Sequence, residues 1–213
     1  MAFIDVIKAK AKADKKRIVL PEGMDRRIWE AAVEIVKDDI ADLTVIATEE
    51  DVKNNTEGLN LAGINIIDPV RSDKLEKYTA DLAELRRMKG MTIDEARELL
   101  TTDYVYYACM MLRENEADGV VSGACHSTAN TLRPALQLVK AKPGVKLVSA
   151  FFIMVVPDCE YGANGTFLFA DCGLEQNPDP EKLAAIAVDS ANSFAKLVEE
   201  EPLVAFLSHS TKG

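Results

Sequence analysis

Apolar positions along this chain fall into short β-branched runs separated by amphipathic stretches. That alternation builds a mainly parallel sheet flanked by helices. RIVLPEG (residues 17–23) reads as a buried strand stopping at a turn, after which Asp25 can cap a helix with the apolar face Ile28, Trp29, Ala32, Val33 and Val36. Strands follow at residues 43–47 and 64–67, with a short helix at 49–53 between them. The amphipathic block 72–88 predicts a helix ending at Gly90, and Thr92 with Glu95 forms a capping box opening another. A further helix is expected over 104–114.

The buried run GVV (119–121) then leads into SGACHSTANTLRP (122–134), with a helix expected over 131–139. Ligands of parallel α/β sheets sit beyond the carboxyl ends of strands, which is where this junction lies. Gly123 permits a sharp turn, and backbone N–H groups of the turn would point at an anion. Ser127, Thr128, Asn130 and Arg133 could together hold a phosphate or carboxylate, with Arg133 supplying a bidentate fork. An ordinary helix cap plus a surface arginine explains one hydroxyl, but not three polar groups and a cation at one strand end. The spacing matches no Walker motif.

Beyond Pro143 and Gly144, KLVSAFFIMVVP predicts a strand and GTFLFADCG (165–173) another, paired with it after the turn YGANG. Pro180 and Glu181 open an amphipathic helix over 183–198, and a last strand is expected at 203–207. A domain boundary near Val148 gives a first α/β domain over 1–148 and the beginning of a further one over 149–213. The later domain is expected to be incomplete, because a parallel sheet needs cover on both faces.

A net charge of −10 argues against nucleic acid and anionic membranes as partners, so an anionic substrate must meet locally focused positive charge. The longest apolar run, residues 150–156, falls far short of the roughly 20 residues of a membrane span, and the amphipathic N-terminus lacks a signal-peptide core. A cytoplasmic protein is expected. Cys109, Cys125, Cys159 and Cys172 show no zinc spacing, so no metal is expected. His126 reads as a spectator, since the local sequence places no carboxylate to orient it. Asp158, Glu160 and Asp171 are strand-end carboxylates that sequence does not separate from ordinary turn residues. Arg86 and Arg87, near a helix end, read as charges on the helix dipole.

ADGVVSGACHSTANTLRPALQLVK strongly resembles the signature region of phosphate acetyltransferases, also called phosphotransacetylases. RIVLPEGMDRR, SAFFIMVVPD, TFLFADCGLEQNPDPEKLAAIA and VAFLSHSTKG resemble successive blocks of that family. Phosphate butyryltransferases share a weaker version. The resemblance implies acetyl transfer between coenzyme A and inorganic phosphate, giving acetyl phosphate, without metal or prosthetic group. It also implies a homodimer of two three-layer α/β/α domains with a cleft between them, similar to isocitrate and isopropylmalate dehydrogenases. By matching motif, Arg133 in TLRP and Arg87 in LRRMKG correspond to substrate-binding arginines, and Ser127 and Thr128 to hydroxyls lining the phosphate and acyl site. The family's serine-arginine pair and aspartate base belong to a part that continues well beyond STKG. The expectation is therefore that the 213-residue chain alone is a poor catalyst, with no catalytic residue of its own. A non-catalytic acyl-phosphate-binding or dimerising fragment, and a preference for butyryl groups, are the alternatives.

Overall fold

A computed structural model of the chain describes residues 3–145 and 147–207. Helix α1 (Phe3–Ala13) comes first. Two compact units follow from the fold: Lys8–Lys140, and the segment from Ala141 onward together with the start of the chain.

In the first unit, β1 (Arg17–Leu20), β2 (Asp42–Ile46), β3 (Asn65–Ile67) and β4 (Gly119–Val120) form a parallel sheet in the order β3-β2-β1-β4. The chain steps outward from β1 to β3, then returns to the other side of β1 with β4. The carboxyl ends of β1 and β4 thus flank the point where strand order reverses, the place where open α/β sheets form a ligand crevice. Alternation along the strands feeds two buried clusters. Val19 and Ile46 enter one with α4 (Leu75–Arg86), α5 (Ile93–Thr102) and α6 (Tyr104–Arg113), while Leu20, Leu43 and Val45 enter the other with Trp29 and Ala32 of α2 (Arg26–Lys37). Period-two alternation with helices on both faces is what the sequence pattern predicts.

Local signals set the helix ends. The Asp25 carboxylate accepts the Arg27 N–H at 2.9 Å and starts α2. Thr48 and Asp51 form a reciprocal capping box at α3 (Glu49–Asn55), and Thr92 and Glu95 do so at α5. After α4 a 3₁₀ turn, Arg87–Lys89, ends at Gly90 with φ +82°. Every residue from Tyr104 to Met111 is buried, as a helix apolar all round requires.

The helix expected over 131–139 begins earlier. Ser127 caps α7 (Thr128–Pro134), and the helix then widens into a π turn, Ala135–Val139, closed by the Lys140 N–H on the Ala135 carbonyl at 2.9 Å. The ring of Pro134, which removes a helical N–H, stands where the change occurs.

In the other unit, β5 (Phe151–Val155) pairs with β6 (Thr166–Ala170), Phe151 opposite Ala170 and Val155 opposite Thr166. This sheet is antiparallel rather than parallel, as its short connection demands. Asp179 caps α8 (Pro180–Val198) by accepting the Lys182 N–H at 2.9 Å. The strand expected at 203–207 is absent: these residues pair with no strand among the described residues, and Leu203 and Leu207 are more than nine-tenths exposed. Residues 208–213, which complete the block VAFLSHSTKG, lie outside the described residues.

Candidate functional site

Parallel pairing of Ile18 with Gly119 and Val19 with Val120 brings two strand ends together, and the Val121 N–H continues the ladder onto the Val19 carbonyl at 3.0 Å. The turn after β1 carries Glu22, fully buried, and the turn after β4 wraps around its carboxylate. Oε2 accepts the N–H groups of Gly123 and Ala124, both at 2.9 Å. Oε1 accepts those of Cys125 at 2.9 Å and His126 at 3.1 Å, and also the His126 ring N–H, with Nδ1 at 2.7 Å. Gly123 adopts φ +115°, which lets its N–H join the set. On the other side, a Cβ on Gly23 would lie 2.5 Å from both the Ala47 Cβ and the Ile46 carbonyl, so only glycine seats this turn against the end of β2.

Burial alone would raise the Glu22 carboxyl, but the hydrogen bonds from Cys125, His126 and Ala124 outweigh it and hold the group at about 2. It is ionised at neutral pH. An ionised carboxylate only accepts, so Nδ1 of His126 carries the proton. The Cys125 thiol, whose sulfur lies 3.4 Å from Oε1, is pushed up to about 11 by burial and by the Glu22 charge. Arg27, paired with Asp25 at 2.6 Å, donates to the Ala124 carbonyl at 2.8 Å and ties the loop to α2.

This arrangement changes the picture of the junction. Four backbone N–H groups expected to face a ligand anion instead face a carboxylate of the same chain. Sequence reasoning missed Glu22, whose only local signal is an acidic residue directly after a buried strand and before a constrained glycine. It set His126 aside for want of an orienting carboxylate, and Glu22 is that carboxylate.

The remaining site residues lie just beyond. Ser127 Oγ accepts the Asn130 N–H at 3.3 Å, while Thr128, Asn130 and Arg133 are exposed on α7. The hydroxyls of Ser122 and Thr131 and the Nε of Arg86 are buried without a hydrogen-bond partner among the described residues. Tyr106 donates its hydroxyl to Gln137 Oε1 at 3.0 Å. Burial and Asp103 raise its pKa, and the positive charges of Arg133 and Arg86 oppose the rise. Arg86 also lines an open cleft of about 470 Å³ with Lys89 and Gly90. Arg87 is exposed and faces Glu84 at 3.7 Å.

Glu22, Cys125 and His126 offer ligand atoms within 4.8 Å of one another, a donor set of the kind that binds zinc. The set does not fit a cation. The carboxylate is already saturated by N–H groups, the sulfur is a thiol at neutral pH, and the imidazole edge facing the cluster bears a proton. In the other unit, Asp171 accepts the N–H groups of Ala150 at 3.0 Å and of Gly173 and Leu174 at 2.8 Å, which makes it the organiser of its own turn. Asp158, at φ +54°, and Glu160 are exposed.

Residues 2–213 match the model of the family described as phosphate acetyl/butaryl transferase. A phosphate acetyltransferase of Thermoanaerobacterium thermosaccharolyticum is 51% identical over all 213 residues of this chain, which cover 65% of that protein. One of Acetivibrio thermocellus is 52% identical over the same span, covering 64% of its length. Among solved structures, a phosphotransacetylase from Streptococcus pyogenes superposes with a TM-score of 0.86 at 33% identity, covering all of this chain and 64% of that one. The chain therefore spans just under two-thirds of the length of these relatives.

Proposed function

The chain belongs to the phosphate acetyl/butaryl transferase family, and from that premise we propose that it serves the reversible transfer of an acetyl group between coenzyme A and inorganic phosphate, with acetyl phosphate as the other product. The observation that carries this reading is the grouping of Thr128, Asn130 and Arg133 on one exposed helix, capped by Ser127, beyond the carboxyl end of the parallel sheet. A guanidinium on a hydroxyl-rich helix suits a phosphate or acyl phosphate, because it can donate two parallel hydrogen bonds to phosphoryl oxygens. Ser127 shapes this surface as the α7 cap, and the exposed side chains of Thr128 and Asn130 offer hydroxyl and amide donors to the ligand. Arg87, exposed in the 3₁₀ turn after α4 and facing Glu84 only at 3.7 Å, is the second substrate-binding arginine in this reading.

The reaction asks for charge stabilisation on an oxyanion and for a proton acceptor, both of which side chains and backbone dipoles supply. Neither metal nor prosthetic group enters this reading. Acetyl rather than butyryl is favoured because the relatives at 51% and 52% identity are named phosphate acetyltransferases. The reading extends to a cytoplasmic homodimer with an isocitrate dehydrogenase-like fold, residues 1–148 forming the first domain and 149–213 the beginning of the next. Among the described residues, no helix is long and apolar enough to cross a membrane.

Calorimetry with inorganic phosphate and acetyl phosphate tests the site. Arg133→Ala and Arg87→Ala are expected to raise both dissociation constants about tenfold or more. Unchanged binding in Arg133→Ala would overturn the reading.

A further inference from the structure

We propose that Glu22 is a positioning residue for the phosphate site: its carboxylate holds the loop of residues 123–126 in one shape and so fixes where α7 begins, without touching the ligand. The inference rests on the reading that Thr128, Asn130 and Arg133 of α7 bind phosphate, and it identifies what keeps those side chains in place.

The N–H groups of Gly123 and Ala124 reach Glu22 Oε2 at 2.9 Å, and those of Cys125 and His126 reach Oε1 at 2.9 and 3.1 Å, with the His126 ring donating to Oε1 at 2.7 Å as well. Four successive N–H groups turned onto one carboxylate restrict the loop to a single shape, of which the positive φ of Gly123 is part. The next residue is Ser127, the cap of the helix that carries Thr128, Asn130 and Arg133. Residues 127–130 are exposed, so packing does little to hold this end of α7. Its ties lie just upstream, in the Glu22 clamp and in the Arg27 guanidinium on the Ala124 carbonyl at 2.8 Å. Glu22 is fully buried in the turn after β1, which Gly23 seats against the end of β2. The sheet thus reaches the start of α7 through one side chain.

For binding, the consequence is preorganisation. A loop ordered before the ligand arrives removes its own ordering cost from the binding free energy. A buried carboxylate suits this task better than a surface ion pair, because an ionised group enclosed by N–H donors has no water to exchange them for. The same clamp keeps these N–H groups from phosphate, so affinity comes from the side chains of α7, Arg133 foremost, oriented by a group that phosphate never meets. A loop that waited for its ligand would behave in the opposite way, with amides open when free and closed when bound.

Residue-resolved amide hydrogen exchange and calorimetry on the purified chain test this. In the ligand-free parent the amides of residues 123–126 should already be protected, and inorganic phosphate should change their rates less than about twofold. Amides that close only when phosphate is added overturn the proposal, since the ligand and not Glu22 would then order the loop. Glu22→Ala, studied below its thermal midpoint, should exchange these amides at least about tenfold faster and bind phosphate about tenfold more weakly. Sodium formate, whose carboxylate fits the space left by the side chain, should restore both, measured against the parent chain in the same salt. Protection restored without affinity would reduce Glu22 to a group that only stabilises the fold, and overturns the positioning role. Glu22→Gln, which keeps the shape but replaces one acceptor oxygen by an NH₂ group, gives the same comparison without formate if Glu22→Ala fails to fold. Binding lost in Arg133→Ala but intact in both Glu22 variants overturns the positioning role and leaves the site reading standing. A parent chain that binds no phosphate overturns both.

Discussion

Glu22 and His126, 104 residues apart in sequence, share a 2.7 Å hydrogen bond between Oε1 and Nδ1 at the carboxyl end of the parallel sheet. The carboxylate is fully buried and satisfied by the loop it organises, so its charge stabilises the fold. Removing that charge, by protonation or by substitution, should be felt throughout the turn after β4.

Acid should expose this first. The Glu22 carboxyl sits at about 2 in the folded protein against an ordinary value of 4.5. A lowered folded value means the group contributes stability above about 4.5 and loses that contribution as the pH falls towards 2. Thermal midpoints of the parent chain should therefore drop across this window. Glu22→Gln should be less stable at pH 7 and show a shallower acid slope. Equal slopes in the two proteins would show that Glu22 is not the linked group.

Cys125 should be a slow nucleophile despite its exposed position. Burial of the thiol and the neighbouring Glu22 charge push it up to about 11, so little thiolate exists at pH 8. Site-resolved mass spectrometry after iodoacetamide treatment should find Cys125 modified slowly, and several-fold faster in Glu22→Gln. A rate at Cys125 that is insensitive to Glu22 would contradict the electrostatic account.

Gly23→Ala should destabilise the first unit by about 1–3 kcal/mol, because the added methyl meets the Ile46 carbonyl and the Ala47 Cβ at 2.5 Å. Denaturant unfolding gives the magnitude.

Trp29→Phe should cost about 1–3 kcal/mol. The indole N–H donates to the Gly23 carbonyl at 2.7 Å in a fully buried position, and phenylalanine leaves that carbonyl unpaired. A loss well below this range would mean that the Gly23 carbonyl finds another donor.

Much of the fold was legible along the chain, because its signals are local. Asp25 and Thr92 with Glu95 begin helices by hydrogen bonds that span two or three residues, Pro180 stands in the first turn of another, and Gly90 ends one by its left-handed φ. The β-branched runs at Arg17–Leu20 and Asp42–Ile46 alternate between two faces as their composition requires. Where the sequence reading failed, the missing term was a partner. Leu203 and its neighbours have the apolar pattern of a strand, but a strand exists only when another lies beside it.

Local sequence is enough to establish that SGACHSTANTLRP follows a short strand, opens a helix and carries Ser127, Thr128, Asn130 and Arg133. What the loop's N–H groups bind, and which groups gather beside it, is settled in three dimensions. The register of β1 against β4 sets Glu22 beneath residues 123–126, and the packing of α6 against the π turn after α7 brings the Tyr106 hydroxyl to Gln137. Neither relation has a local signature. Pairing between strands about a hundred residues apart is chosen by the sum of the buried faces, and no short window of sequence contains that sum.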